Sequence, residues 1–289
     1  GACAEAVQEE GQVSDREQIK AYYDTSPETE WARLEQNPWE FEINCRYIDR
    51  YVQPGQSVLD LGGGPGRYSI HLAERGCAVT LADLSDGNVA LARKKAAEAG
   101  VELTAVQADA LDGGTLPEGP FDHVLCMGPL YHLLKEEERK TAIANCLSRL
   151  RPGGVFFAAF ISMYSDLLYR LGHMADWPEG IAEVDGNEVN RRYYGCLERG
   201  EDYAGEAFTR AYFAQAGSAE RHFEGFPLKK LHLVGSEGVL ASREGFKNLP
   251  AEARAGWIEL SLRLCEIPEL LSWSEHLLYI GQKIQEDRI

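Results

Sequence analysis

Basic residues are scarce in this 289-residue chain: 29 Lys+Arg stand against 46 Asp+Glu, a formal net charge of −17. A surface this acidic repels phosphate backbones and anionic membranes, so neither nucleic acid nor a membrane is an expected partner. The basic runs Arg93-Lys94-Lys95, Arg191-Arg192 and Lys229-Lys230 are short and read as solvated faces. Long apolar runs are missing too. None reaches the roughly 18 residues of a membrane span, and no stretch has the form of a signal peptide. Cysteine pairs at metal or redox spacing are absent. The seven Cys, at 3, 45, 77, 126, 146, 196 and 265, contain no C-x-x-C and no Cys/His cluster with zinc spacing, so no metal is expected. Cys77, Cys126 and Cys146 sit among apolar neighbours, where cysteine acts as a small hydrophobe. Reduced thiols in a cytoplasmic protein are the simplest account. The glycines and prolines follow no fixed period, which excludes collagen-like architectures, and no internal repeat is seen.

What is present is a globular composition, 44% hydrophobic and 26% charged, with enough length for a large core. Residues 1–13 are polar and aperiodic and read as a loose start. From 15 to 52 the spacing is helical, with Pro27 and Pro38 dividing it. Between 57 and 160 strand-like and helix-like periods alternate. "SVLDLG" (57–62), "AVTLAD" (78–83), "VELTAVQAD" (101–109), "FDHVLCMG" (121–128) and "VFFAAFIS" (155–162) read as strands. Helices fall between them over 66–75, from Ser85 as N-cap to near Gly100, and over 136–151 before "RPGG". That alternation predicts βαβ units and a doubly wound parallel sheet. Residues 161–206 lose the alternation and are expected to be short cap helices. "LKKLHLVG" (228–235) and "HLLYIGQKI" (276–284) read as further strands, with a helix over 251–265 between them.

The chemistry concentrates in "VLDLGGGPGRYSIHLAERGCAVTLADLS" (58–85). A strand enters a Gly-rich turn that opens a helix, the usual ligand position at the carboxyl edge of an open α/β sheet. Asp83 closes the next strand, where a carboxylate can accept two ribose hydroxyls. A dinucleotide turn needs G-x-G-x-x-G. From Gly62 the third glycine is replaced by Arg67, and from Gly64 by Ser69. The spacing present is Asp60-x-Gly62-x-Gly64-x-Gly66.

That spacing resembles the first motif of class I S-adenosylmethionine-dependent methyltransferases, and the resemblance continues in order. Asp83 matches the ribose-binding acid after the second strand. "ADALD" (108–112) puts Asp109 at the acid that contacts the adenine amino group. "FDHVLCMGPLYHL" (121–133) matches the motif lining the transfer site, and "LSRLRPGGVFFAAF" (147–160) the following helix, turn and strand. The resemblance implies a Rossmann-like seven-stranded sheet of order 3-2-1-4-5-7-6, its last strand antiparallel. The chain is expected to divide into an N-terminal helical cap segment (1–44), a core (45–160 and 207–289) and an inserted cap over the site (161–206), the resemblance itself covering 45–160 and 225–284. The resemblance also implies S-adenosylmethionine as cofactor, held by Tyr22, Asp60, Gly62, Gly63, Gly64, Asp83, Leu84, Ser85, Asp109, Ala110, Met127 and Gly128.

Several residues have two readings. Asp60 either meets the ligand's amino group or braces the loop. His132, beside Tyr131 at the transfer site, is either a general base or a residue that shapes the pocket. Trp177, Tyr193 and Tyr194 either line an acceptor pocket or form the core of the cap. The expected activity is methyl transfer to a small neutral or cationic molecule at an unspecified O, N, S or C atom. An NAD(P)-dependent oxidoreductase and a non-catalytic S-adenosylmethionine-binding protein are the alternatives.

Overall fold

A computed structural model describes residues 14–285 except Ser26 and Asn37. The expected loose start at 1–13 lies outside the described residues. Pro27 and Pro38 each open a helix, where a missing amide proton costs nothing. The N-terminal stretch thus forms α1 (Asp15–Thr25), α2 (Pro27–Gln36) and α3 (Pro38–Tyr51). α3 crosses the boundary expected at 44/45, because Trp39, Ile43, Tyr47 and Ile48 are all core.

The alternating stretch folds as β1 (Ser57–Leu61), α4 (Arg67–Glu74), β2 (Ala78–Asp83), α5 (Asp86–Ala99), β3 (Thr104–Gln107), β4 (Phe121–Cys126), α6 (Glu136–Arg149) and β5 (Leu150–Ser162). These strands are parallel, in the order β3-β2-β1-β4-β5. Ser85 caps α5 by accepting the Asn88 amide, and Gly100 ends it at φ 70°. β3 is shorter than expected, and β5 longer, since it begins at Leu150 and runs through "RPGG".

The chain continues with α7 (Ser165–His173), α8 (Glu188–Glu198), β6 (Tyr203–Glu206), β7 (Arg210–Ala214), α9 (Ala216–Arg221), β8 (Leu228–Gly235), α10 (Ala251–Leu264) and β9 (His276–Lys283). β9 lies antiparallel between β5 and β8, with Phe157 opposite Ile280 and Leu233 opposite Tyr279. With β8 and β9 as the last two strands, the seven have the expected order. The sheet has nine strands, however. The β6–β7 hairpin straddles the boundary expected at 206/207, and β7 pairs in parallel with the end of β5 at Ile161 and Ser162.

Alternation along the strands feeds both faces of the sheet. Leu59, Val124, Phe156 and Phe160 pack against α6 and α9. Val58, Leu125, Phe157 and Ile280 pack against α3 and α10. Phe156 and Phe157 are fully buried on opposite faces; truncating either to Ala would cost about 3–5 kcal/mol. The expected cap aromatics form a smaller core of their own. Tyr193 packs with Met163, Tyr203 and Phe213 and donates to the Met163 carbonyl at 2.6 Å. Tyr194 donates to Asp166, and the Arg170 guanidinium lies over Trp177.

Candidate active site

β1, β2 and β4 all end on one edge of the sheet, and the turns that follow them enclose a single cleft. After β1 the backbone adopts positive φ at Gly62 (71°), Gly64 (56°) and Gly66 (90°). Gly63 and Gly64 differ in what surrounds them. A Cβ on Gly63 would come within 2.8 Å of the Asp60 carboxylate and the Leu81 side chain. A Cβ on Gly64 would meet no protein atom within 4 Å, so the space above it is open to a ligand. Asp60 sits beneath this turn, wholly buried. Its Oδ2 accepts from the Ser69 hydroxyl at 2.7 Å, and its Oδ1 is buried without a protein partner. Burial pushes its pKa up to about 6.

Asp83 joins the turn after β1 to the start of α5. Its Oδ2 accepts the Gly64 amide at 2.9 Å; its Oδ1 accepts the Ser85 amide at 2.9 Å and the Asn88 side-chain amide at 3.2 Å. Burial raises its pKa, and these hydrogen bonds oppose that rise. A carboxylate has about four acceptor positions, so three bonds leave room for a ligand donor. Asp109, after β3, accepts the Leu111 amide at 2.9 Å and pairs with Arg16 of α1.

Opposite these acids, a 3₁₀ turn at Pro129–His132 follows β4. The turn fits closely because Gly62 has no Cβ to strike Pro129. His132 is nearly buried, and its two ring nitrogens face different partners. Nδ1 is 3.3 Å from the Arg210 carbonyl and Nε2 is 2.8 Å from the Tyr23 hydroxyl. A carbonyl only accepts, so in this arrangement Nδ1 carries the proton and Nε2 accepts from Tyr23.

Gly62, Gly64, Asp83, Leu84, Ser85, Asp109, Ala110, Gly128, Tyr131 and His132 therefore line one cleft, as their places in the sequence suggest. Asp60 and Gly63 lie under it. Met127 packs behind it, with the core on the α3 side of the sheet. Tyr22, expected to close over the cofactor, is 44% exposed and outside the lining, whereas its neighbour Tyr23 lines the cleft. The reason is helical phase. Arg16, Ile19, Lys20 and Tyr23 share one face of α1 at i, i+3, i+4 and i+7, and that face covers the cleft. The same spacing was readable in the sequence, but "AYYDT" alone does not say which tyrosine shares it. Further polar ties hold α1 down. Asp24 accepts from the Ser85 hydroxyl at 2.5 Å, and Asp15 pairs with Arg210 at 2.8 Å. Among the described residues, none from 161–206 lines the cleft. The tip of the β6–β7 hairpin comes closer, with the Phe208 ring 6.2 Å from that of His132.

Glu40, Glu237 and His276 bring three ligand-type atoms within 4.8 Å of one another elsewhere. Glu237 already accepts both the His276 amide and its Nδ1–H, so that group is satisfied internally.

A family model described as "Methyltransferase domain" matches residues 58–154, the part that carries most of the cleft. A ubiquinone biosynthesis O-methyltransferase from Cronobacter sakazakii is 36% identical over 105 residues, 36% of this chain and 42% of the relative. A glycine/sarcosine N-methyltransferase from Parasynechococcus marenigrum is 29% identical over 195 residues, 67% of this chain and 64% of the relative. The chain thus spans about half the length of the curated relatives it matches. Among solved structures, magnesium protoporphyrin IX methyltransferase from Synechocystis with bound S-adenosylmethionine superposes with a TM-score of 0.56. It is 14% identical, with 95% of this chain and 99% of that one covered, a likeness of fold.

Proposed function

We propose, from the premise that this chain carries a class I S-adenosylmethionine-dependent methyltransferase domain, that it transfers a methyl group from that cofactor to a small molecule. The observation that carries the reading is the pairing of Asp83 with the Gly64 amide beneath an open space, facing a turn that presents His132. The residues fit the cofactor. Asp83 would take the ribose hydroxyls, Asp109 the adenine amino group, and the glycine backbone would lie along the remainder. Asp109 is now paired with Arg16, so adenine recognition requires that contact to rearrange. When bound, the cofactor supplies a sulfonium whose methyl carbon is already electrophilic.

The protein's part is then mainly orientation, worth about 7–11 kcal/mol where reacting groups are well aligned. Tyr131, His132 and Phe208 frame the acceptor side. With Nδ1–H held by the Arg210 carbonyl, His132 Nε2 is the nitrogen that would take a proton from an acceptor hydroxyl once Tyr23 yields it. Burial of His132 and the cover supplied by α1 would limit the access of water to a bound cofactor. Six free cysteines among the described residues, five of them buried, support a reducing, cytoplasmic site of action.

Calorimetry with S-adenosylhomocysteine and with NADH tests the cofactor. Methyl release from labelled S-adenosylmethionine over a panel of phenols, amines and thiols tests the reaction. Binding of NADH in place of the homocysteine product overturns the reading. Binding without methyl transfer to any acceptor favours a non-catalytic protein.

A further inference from the structure

Arg139 of α6 is a buried charge that the proposed chemistry does not use. It is 5% exposed. Among the described residues, no carboxylate lies within ion-pair distance of it. Its partners are neutral. Nη1 donates to the carbonyls of Leu133 at 2.6 Å and Leu134 at 3.0 Å. Nε donates to His222 Nε2 at 2.8 Å, and the guanidinium lies 3.7 Å over the Tyr212 ring. Burying a guanidinium costs free energy unless its donors are well used, so what they hold is informative.

They hold both sides of His132. Leu133 and Leu134 directly follow the Pro129–His132 turn, and their carbonyls come just before α6 begins. Tyr212 is two residues beyond Arg210 in β7, on the same face of the strand as the residue whose carbonyl meets His132 Nδ1. One planar guanidinium therefore ties the chain carrying the imidazole to the strand that sets its tautomer. The outer ends of the network are also fixed. The Tyr212 hydroxyl donates to Asp202 at 2.7 Å. His222 Nδ1 donates to the Ser218 carbonyl at 2.6 Å, which leaves Nε2 as an acceptor for Arg139. Burial holds the His222 pKa below its ordinary value, so the ring stays neutral and that role persists at neutral pH.

We propose that Arg139 is a positioning residue that clamps the 129–134 turn to β7 and so holds His132 in its Nδ1–H form, with Nε2 directed to the cleft. The role assigned to Nε2 rests on the methyltransferase reading, but the clamp itself does not. Charge-assisted bonds to the two carbonyls are stronger than neutral ones, and the planar fork serves both directions at once.

The test uses the full chain without ligand. Imidazole ¹⁵N shifts report the His132 tautomer, and amide exchange reports the 129–134 turn. Arg139→Gln should shift His132 from the Nδ1–H form to a tautomer mixture and speed exchange over 129–134 by about tenfold. His222→Gln presents a carbonyl oxygen near the position of Nε2 and should keep the wild-type His132 signals. His222→Leu should shift them part of the way. Should Arg139→Gln fail to fold, Arg139→Lys, which keeps the charge and loses the fork, gives the same comparison in milder form. Unchanged His132 signals and turn exchange in the Arg139 variants overturn the clamp, even if their melting temperature falls. Failure of the wild type to bind S-adenosylhomocysteine overturns the methyltransferase reading and leaves the clamp to be judged on the imidazole shifts.

Discussion

The two halves of the cleft are built by different means. The half beside β1 and β2 is mostly backbone: glycines at positive φ, the first turn of α5, and one carboxylate that ties them together. The half beside β4 and β7 is mostly side chains on connections: Tyr131 and His132 on a 3₁₀ turn, Phe208 at a hairpin tip, and Tyr23 on a helix from the far end of the chain. Backbone geometry at a strand end allows few solutions, so the first half suits one invariant ligand. Side chains on connections can be exchanged without moving the sheet, so the second half suits a variable acceptor. A direct test is whether substitutions in the first half abolish cofactor binding and substitutions in the second leave it standing.

The largest effect is expected at Gly64. A Cβ there meets no protein atom within 4 Å, but a valine would need φ near 56° and its side chain would project into the open space above the turn. Gly64→Val should lose measurable S-adenosylhomocysteine binding by calorimetry, with a stability loss of about 1–3 kcal/mol. Normal binding would mean that the ligand does not lie over this turn. Asp83→Ala should follow. It would remove the charge-assisted bonds proposed to the ribose hydroxyls, about 1.5–3 kcal/mol each at most, enough for at least a tenfold weaker complex. It also frees the Gly64 and Ser85 amides, so the melting temperature should fall as well. Unchanged affinity in a folded variant would remove Asp83 from the site.

Asp60 separates bracing from binding. Its folded pKa of about 6 exceeds the ordinary carboxylate value of 3.8. Between those values the folded state keeps a proton that the unfolded chain has lost. Stability from this group is therefore greatest in acid, declines as pH rises through the window, and is level above it. The shift corresponds to about 3 kcal/mol. Asp60→Asn keeps an acceptor for Ser69 and should lack that decline. Denaturant titrations of both proteins from pH 4 to 7 measure the difference, and parallel curves would contradict the buried, proton-holding carboxyl.

The same division explains what could be read from the sequence. The order of β1 to β5, the cap at Ser85 and the acids at 83 and 109 follow from local spacing, because strand ends and helix starts are set by nearby residues. The hairpin was missed: "YAGE" and "RAYFA" are short, and only their pairing with each other and with Ile161 makes them strands. Whether Tyr22 or Tyr23 faces the cleft is not legible in the sequence, because helical phase against a distant surface is not a local property. For Trp177, Tyr193 and Tyr194 the sequence leaves pocket and cap core both open, and it takes the packing of Tyr193 against Met163 and Phe213 to place that residue in a core.

The smallest expected effect bears on which segment covers the cofactor. α1 has a single buried residue, Ile19, and is otherwise held by polar contacts from Asp15, Arg16, Lys20, Tyr23 and Asp24. Exposed ion pairs contribute little, about 0–1 kcal/mol each, so α1 should open more readily than the strands beneath it. A ligand in the cleft would contact Ile19 and Tyr23 directly and add apolar burial that the free protein lacks. Segment 161–206 packs with Ala211 and Phe213 of β7 in a separate core and has no residue in the lining, so the same ligand would make no direct contact with it. Saturating S-adenosylhomocysteine should therefore slow amide exchange severalfold across 15–25 and leave 165–198 unchanged. Raising salt should speed exchange in α1 alone, because its ties are the ones that screening weakens. Equal protection of both segments would restore 161–206 as part of the cover. Protection of neither would mean that α1 is a fixed wall of the cleft, and the division between a rigid backbone half and an adjustable side-chain half would have to be drawn without it.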